Sequence, residues 1–346
     1  MTRPAPERFN SEAAAPAAIR RADRPYTRRG DLLARLDLPP DTGIAAADFP
    51  LRAPPAFVDR IRPGAPDDPL LRQILPTSAE LLEVAGYTAD PVGDLASAIA
   101  PGVLKKYAGR ALLIVTGACA IHCRYCFRRA YPYTRGSIRQ RDLTEALAAL
   151  AADPTIEEII LSGGDPLMLP NEKLIPLLEA LSNIKHIRRI RIHTRIPVVM
   201  PERIDAELLE LIGACPLPVT VVIHCNHAHE IDASAETALS ALRTRCAFLL
   251  NQSVLLRGIN DSVDSLSALS LRLSDVGVLP YYLHQLDAVA GAAHFGVDDR
   301  RATELIAAVT ARLPGYLVPR LVREIPGAAA KTTLYRPADD TQPARP

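Results

Sequence analysis

From residue 111 onward, strand-like and helix-like segments alternate six times, and this alternation restricts the fold more than any other feature of the chain. Each strand-like segment is a short apolar run rich in β-branched residues, and each is followed by a stretch with helical spacing. Strands that are separated by helices pair in parallel, so the pattern predicts an α/β fold with a parallel sheet. The six runs are ALLIVT (111–116), IEEIILSG (156–163), IRRIRIHT (187–194), VTVVIHC (219–225), AFLLNQSVLL (247–256) and LPYYLHQL (279–286).

Six β/α units are too few to close an eight-fold barrel, which leaves a partial (β/α)6 barrel or an open doubly wound sheet. In both folds ligands bind beyond the carboxyl ends of the parallel strands. Every predicted strand carries reactive or polar side chains at or near that end, so we expect one functional site there. The first strand runs into a cysteine-rich loop, the second into SGGDP, the third into His193 and Arg195, and the sixth into Asp287.

The rest of the chain divides by composition. Residues 1–50 are rich in Ala, Arg and Pro and are expected to be poorly ordered. Residues 51–105 contain helical signals that are broken by proline, which predicts a helical N-terminal extension. Residues 106–320 then form the (β/α)6 core, and residues 321–346 form a short C-terminal segment.

Charge and hydropathy exclude several classes of partner. The chain has 40 basic and 39 acidic residues, a formal net charge of +1, which favours neither nucleic acid nor an anionic membrane as a partner. No apolar run reaches the roughly 18 residues that a membrane span needs. A cytoplasmic, reducing location is therefore expected, where clustered cysteines bind metal or react more often than they form disulfides.

Three cysteines fall within eight residues, at Cys119, Cys123 and Cys126. Tetrahedral zinc and [4Fe–4S] clusters both take four ligands, so three local thiols leave one position to be supplied from elsewhere. A zinc site completed by a histidine such as His122, or a cluster with one open iron, would satisfy this spacing. The other three cysteines are dispersed and are expected to be small buried residues: Cys215, Cys225 and Cys246.

The C-x3-C-x2-C spacing after a first strand, with Tyr125 before the third cysteine, resembles the radical S-adenosylmethionine (radical SAM) superfamily. The resemblance implies a partial (β/α)6 barrel and a [4Fe–4S] cluster on the three cysteines. It also implies that S-adenosylmethionine binds the free iron. The turn after the second strand resembles the glycine-rich element beside the methionine moiety and supplies candidate cofactor-binding residues: Ser162, Gly163, Gly164 and Asp165.

Further motifs narrow the family. CRYCFRR, SGGDPLML, HTRIPVVMPERI, LLNQSVLLRGIND and PYYLHQLD follow one another as in lysine 2,3-aminomutase. KYAGRALLIVTGACAIHCRYCFRR is similar to the short elongation factor P subfamily. The resemblance implies an isomerase that converts L-α-lysine to β-lysine and receives electrons from an external donor. It also implies that a lysyl ligase attaches the β-lysine to elongation factor P. The alternatives are a radical SAM aminomutase for another amino acid and a non-catalytic iron–sulfur redox sensor.

The same family uses pyridoxal phosphate, held as a Schiff base on a lysine, and the resemblance places that lysine at Lys331 in REIPGAAAKT. Lys331 is also the only lysine after the sixth predicted strand, and a pyridoxal phosphate enzyme needs one. Three alanines, at 328–330, replace the family's glycines before this lysine. Further cofactor-binding residues implied by the resemblance are Lys106, Tyr107, Arg110 and Gln252.

Substrate-binding residues also follow from the resemblance. Arg128 matches the arginine that pairs with the substrate carboxylate, a role suited to the guanidinium fork. Asp287 and Glu324 match the two acids that hold the distal ammonium, where the family has aspartate at the second position. Two acids at the distal end favour a substrate with a cationic side chain, because an anionic one would bring like charges together.

Overall fold

In the part of the chain that the structure describes, the six predicted strand segments all lie in one ten-stranded sheet. The computed structural model describes residues 24–44, 48–133 and 142–335. The six strands are parallel, lie in chain order, and end within about two residues of the predicted bounds. They are β3 (Arg110–Thr116), β4 (Glu158–Gly163), β5 (Arg189–Thr194), β6 (Val219–His224), β7 (Phe248–Val254) and β8 (Leu279–His284).

All six predicted helices are present and follow the parallel strands. Four begin at an Asp or Ser whose side chain accepts a hydrogen bond from a backbone N–H of the first turn, an N-cap that fixes the start of the helix. These N-caps are Asp205, Asp232, Ser262 and Asp298. The helices are Leu143–Ala152, Asn171–Ser182, Ala206–Ala214, Ala233–Arg243, Val263–Asp275 and Asp299–Arg312.

Four further strands extend the sheet beyond the six that the sequence predicts. β1 (Ala98–Ala100) and β2 (Val103–Tyr107) add antiparallel to β3. β9 (Arg320–Arg323) adds parallel to β8, and β10 (Thr332–Thr333) adds antiparallel to β9. The predicted core limits at 106 and 320 therefore both fall inside the sheet.

The sheet curves so that its two ends approach each other across its inner face. Lys106 lies on β2, near one end of the strand order, and Glu324 directly follows β9, near the other end. Their Nζ and Oε1 atoms are 2.9 Å apart. Because β1 and β10 remain as the two ends of the strand order among the described strands, this sheet is curved but open. The predicted partial (β/α)6 barrel is confirmed.

The pleat of the parallel strands separates core from cavity. Side chains of alternate residues point to opposite faces of a sheet. On β5, Ile190 and Ile192 are buried in the main hydrophobic core, whereas Arg191 and His193 line the cavity inside the curve. The alternation of isoleucine with polar residues in IRRIRIHT thus predicts which side chains face the core and which face the cavity.

The N-terminal segments differ from the prediction. Residues 24–44 are not poorly packed, because the helix Arg29–Arg35 buries Leu32 and Leu33 in the main core. Residues 1–23 and 45–47 lie outside the described residues. Residues 51–105 form only two four-residue α-helices, Pro55–Val58 and Pro69–Arg72, together with short 3-10 turns and the strands β1 and β2. Eight prolines in this segment and at its edge, from Pro50 to Pro91, limit the length of any helix there.

The remaining elements are short. One α-helical turn, Ile196–Val199, follows β5. Among the described residues, no helix is both long enough and apolar enough to span a membrane. The 3-10 helices within the described ranges are Ser78–Leu81, Leu95–Ser97, Pro166–Met168, Pro201–Arg203, Ala228–Glu230, Ala293–Phe295 and Gly315–Leu317.

Candidate active site

A cavity of about 500 Å3 lies inside the curved sheet. Residues of β2 to β10 and of the loop after β3 line it, and every site residue that the sequence predicts is among them. A cavity of this size can hold small-molecule ligands. The structure thus brings the predicted residues together, whereas their individual roles remain predictions.

The loop after β3 presents the three clustered thiols to this cavity. Turn hydrogen bonds shape the loop, with Cys126 N donating to Cys123 O at 3.0 Å. In the described ranges, no three or more His, Cys, Asp or Glu side chains are close enough to share one metal ion. Thiolates of a [4Fe–4S] cluster bind separate irons and need not converge on one point. Three thiols along one wall therefore suit a cluster.

His122, the histidine that a zinc site would need, is engaged elsewhere in the fold. Its Nδ1 lies 2.9 Å from the carbonyl oxygen of Pro50, and its ring stacks on Phe49 at 4.9 Å between centroids. Burial lowers the pKa of His122 to about 4, so the ring is neutral at physiological pH. These contacts attach the cysteine loop to the N-terminal segment.

The glycines after β4 allow two loops to touch. Gly163 has a φ of 130°, which an L side chain rarely adopts. Gly164 N donates to Thr116 O at 2.8 Å, and Asp165 N donates to Ala118 O at 2.8 Å. A Cβ added at Gly164 would overlap the carbonyl group of Ala118. The glycines are therefore required for the turn to lie directly against the start of the cysteine loop.

We expect Gly164→Ala to lower the free energy of unfolding by about 1–3 kcal/mol, the usual effect of overpacking a filled site. The substitution should also reduce iron incorporation, because the displaced carbonyl belongs to the cysteine loop. Chemical denaturation and iron analysis would measure both effects. Gly30→Ala is the matched control, since a Cβ at Gly30 meets nothing within 4 Å. An unchanged unfolding midpoint in Gly164→Ala would contradict the close approach described here.

Asp165 connects the ends of two strands. Its carboxylate accepts hydrogen bonds from Leu167 N at 3.0 Å, from Thr194 Oγ1 at 2.7 Å and from Arg195 N at 2.7 Å. Burial nevertheless raises the pKa of Asp165 to about 6. The carboxylate thus holds the ends of β4 and β5 in register, and its contact with a cofactor stays a prediction.

A chain of alternating charges runs through the site. Arg128 Nε donates to Asp94 Oδ2 at 2.6 Å, and Lys106 Nζ lies 2.6 Å from Asp94 Oδ1. Lys106 also contacts Glu324 Oε1 at 2.9 Å, and Lys331 Nζ donates to Glu324 Oε2 at 2.6 Å. Sequence reasoning missed Asp94, because no strand or motif surrounds it. The structure places it immediately before the 3-10 turn Leu95–Ser97.

The two acids predicted to bind the substrate, Glu324 and Asp287, differ in charge state. Burial alone would raise the pKa of Glu324, but Lys331 and Lys106 outweigh burial and lower it to about 2. At Asp287, burial and then the neighbouring Glu324 raise the pKa to about 7. The site therefore contains one acid already paired with lysines and a second that is half-ionised near neutral pH. This second acid can pair with an added cation.

In the sequence, His193 stands out only as a strand-end residue. Among the described residues, its buried Nε2 has no hydrogen-bond partner, and the side chain lines the cavity. Burial, followed by the charges of Arg191 and Lys331, holds the pKa of His193 well below its usual range. A neutral imidazole with an unpaired buried nitrogen is expected where a ligand completes the hydrogen bonding.

The other predicted cofactor residues also line the cavity. The guanidinium of Arg110 lies over the ring of Tyr107, 4.6 Å from the ring centroid. Burial, and then the charge of Glu324, raise the pKa of the Tyr107 phenol above its usual range, so it remains a hydrogen-bond donor. Gln252 on β7 faces the same cavity.

Comparison with known proteins agrees with this geometry. The model of the Radical SAM superfamily matches residues 113–244, which span the cysteine loop and β3 to β6. The L-lysine 2,3-aminomutase of Escherichia coli K12 is 48% identical over 286 residues, covering 83% of this chain and 83% of the relative. That of Haemophilus influenzae is 44% identical over 308 residues, covering 88% and 91%. That of Clostridium subterminale is 34% identical over 281 residues, covering 81% and 67%. The chain therefore belongs to the L-lysine 2,3-aminomutase family within the radical SAM superfamily.

Proposed function

We propose that this protein is an isomerase that converts L-α-lysine to β-lysine by moving the amino group from C2 to C3. The observation that carries the proposal is the presence of Arg128, Asp287 and Glu324 in one cavity. A guanidinium recognises the α-carboxylate, and Asp287, which lies beside the lysine-paired Glu324, recognises a side-chain ammonium. The protein's membership of the L-lysine 2,3-aminomutase family supports the same substrate.

Family membership brings three cofactors: a [4Fe–4S] cluster, S-adenosylmethionine and pyridoxal phosphate. When bound, the cluster and S-adenosylmethionine would supply a carbon-centred radical, and pyridoxal phosphate would supply an aldehyde conjugated with its ring, which binds amino groups and delocalises an unpaired electron. The residues present suit all three. Three thiols line one wall of the cavity, an amine is available at Lys331, and Lys106 and Arg110 supply the positive charge that a phosphate needs. The buried Nε2 of His193, which has no hydrogen-bond partner within the described residues, is also suited to a bound ligand.

The protein's own side chains bind and orient the substrate. We assign the substrate carboxylate to Arg128, whose guanidinium is held in place by Asp94 and by Ser162 Oγ at 3.0 Å. An arginine anchored in this way spends little conformational entropy on binding. Asp287 pairs with the distal ammonium once its carboxyl is ionised. The two contacts together orient C2 and C3 for reaction.

The burial of the site protects a reactive intermediate. Arg128 is buried, and the side chains of Lys106 and Glu324 are only 17% and 15% exposed. A cavity with such walls limits the access of water, which would otherwise compete with the return of hydrogen to the product.

Two finer proposals concern partners. The similarity of KYAGRALLIVTGACAIHCRYCFRR to the elongation factor P subfamily supports β-lysine being made for that factor and attached by a separate lysyl ligase. Reduction of a cluster also needs an external one-electron donor, because no described residue supplies electrons at low potential.

We expect the anaerobic protein, reconstituted with iron, sulfide and pyridoxal phosphate, to convert L-lysine to β-lysine with S-adenosylmethionine and dithionite. Mass spectrometry after derivatisation would identify the product. L-Glutamate is the matched control substrate and should not react, because Asp287 and Glu324 repel its side chain. Cleavage of S-adenosylmethionine without β-lysine would leave a radical enzyme with a different substrate. Absence of both events in a protein with a full cluster would favour the redox sensor.

The role of Asp287 can be tested in the same assay. We expect kcat/KM for lysine to rise as the pH increases through about 7, because the neutral carboxyl cannot pair with the ammonium. Asp287→Asn should raise KM by about tenfold or more, since a hydrogen bond to a charged group contributes about 1.5–3 kcal/mol. The variant should also lose the pH-dependent rise. An unchanged pH profile in Asp287→Asn would assign the titration to another group.

A further inference from the structure

Arg195, directly after β5, extends to the cysteine loop on the neighbouring side of the cavity. Its NH1 group donates to the sulfur of Cys123, with an N···S distance of 2.7 Å. The Arg195 side chain is only 5% exposed. Cys123, one of the three clustered cysteines, thus accepts a direct hydrogen bond from the buried guanidinium of Arg195.

The guanidinium is fixed from its other side. NH2 of Arg195 donates to Gln73 Oε1 at 2.6 Å and to Glu230 Oε2 at 2.9 Å. Glu230 is fully buried, and its other oxygen accepts hydrogen bonds from Asn226 N at 3.0 Å and from Gln73 Nε2 at 2.9 Å. Because these partners are buried and mutually bonded, the arginine cannot turn away from the sulfur without leaving a buried charge unpaired.

We propose that Arg195 is a positioning residue that raises the reduction potential of the cluster bound at Cys123. This inference rests on the function proposed above. Hydrogen bonds to cluster sulfurs are among the factors that set the potential of iron–sulfur proteins. Reduction adds an electron to the cluster and increases the negative charge on its sulfur ligands. A fixed N–H donor therefore stabilises the reduced form more than the oxidised form.

The structure separates the effect of the hydrogen bond from the effect of net charge. Arg195 and Glu230 form a buried pair whose charges sum to zero. Replacing both residues by neutral ones keeps that sum and removes the N–H donor. Replacing only Glu230 keeps the donor and leaves one extra positive charge near the cluster. The two changes should therefore shift the potential in opposite directions.

The test is an anaerobic redox titration of the reconstituted full-length chain, followed by electron paramagnetic resonance of the reduced cluster, without S-adenosylmethionine. We expect Arg195→Met combined with Glu230→Gln to lower the ratio of reduced to oxidised cluster about tenfold at the wild-type midpoint. For a one-electron couple this corresponds to about 59 mV. Glu230→Gln alone should raise the ratio. A purely structural role would change cluster content and leave the midpoint where it is.

A second variant, Arg195→Lys, tests whether the effect of the double variant comes from misfolding. Arg195→Lys keeps the charge, but its single nitrogen cannot take the places of both NH1, which contacts Cys123, and NH2, which contacts Gln73 and Glu230, so a smaller lowering of the ratio is expected. A wild-type midpoint in the double variant, or a loss of the cluster in both Arg195 variants, would overturn the proposal. Wild-type protein that binds no cluster would instead overturn the proposed function itself. The two failures are therefore distinguishable.

Discussion

Cys123→Ala is expected to remove the iron–sulfur cluster and, with it, cleavage of S-adenosylmethionine and formation of β-lysine. Two thiolates cannot replace three where the fourth iron is kept open for a ligand, and the substitution also removes the sulfur that Arg195 contacts. We expect activity to fall by about 10⁶-fold or more, the lower range of enzymatic rate acceleration. Iron analysis, visible absorbance and assay of 5′-deoxyadenosine would measure the three losses.

Cys246→Ala is the matched control for this experiment. Cys246 is partly buried against the main core and does not line the cavity, so its loss should leave the iron content and activity near wild type. Retention of a full cluster in Cys123→Ala would show that the cluster uses another set of ligands. Loss of iron in both variants would point to general instability of the fold.

Lys331→Ala is expected to keep the cluster and lose all covalently bound pyridoxal phosphate. Among the described residues, the amines in contact with Glu324 are those of Lys331 and Lys106, and Lys106 is also held by Asp94. Cluster absorbance and iron content should therefore match the wild type, while reduction with borohydride should attach no cofactor to the chain. Peptide mass spectrometry would show whether any lysine carries the label.

Lys105→Ala is the control for the lysine experiment. Lys105 neighbours Lys106 in the sequence but pairs with Asp153 and Thr155, outside the cavity. A surface pair of this type contributes about 0.2–1 kcal/mol, so both cofactors should be retained. If borohydride reduction attached pyridoxal phosphate to Lys331→Ala at the wild-type level, the cofactor would be linked to another lysine.

Periodicity was sufficient to predict the central part of this fold. In strands such as IRRIRIHT, apolar residues alternate with polar ones, and each strand is followed by an amphipathic helix of ordinary length. Because parallel strands place their carboxyl ends at one edge, the polar residues after them could also be assigned to a common site. The structure places them in one cavity.

The parts that were missed depend on contacts distant in sequence. β1 contains three residues and β10 contains two, which are too few to show an alternation of apolar and polar residues. Both strands form because they pair with a longer neighbouring strand. Asp94 gains its position from Arg128 and Lys106, neither of which is near it in the chain. The sequence marks Arg195 only as a strand-end residue, because its contact with Cys123 spans 72 positions and has no sequence signal.

The order of the sheet has a consequence for the biosynthesis of the enzyme. A nascent chain leaves the ribosome N-terminus first, so the three cysteines are made well before β9 and Lys331. The bridge from Lys106 to Glu324 can form only after translation has passed β9. The three cysteines proposed to bind the cluster are thus available during synthesis, whereas Lys331, the lysine proposed to bind pyridoxal phosphate, reaches Glu324 only after β9 has been made.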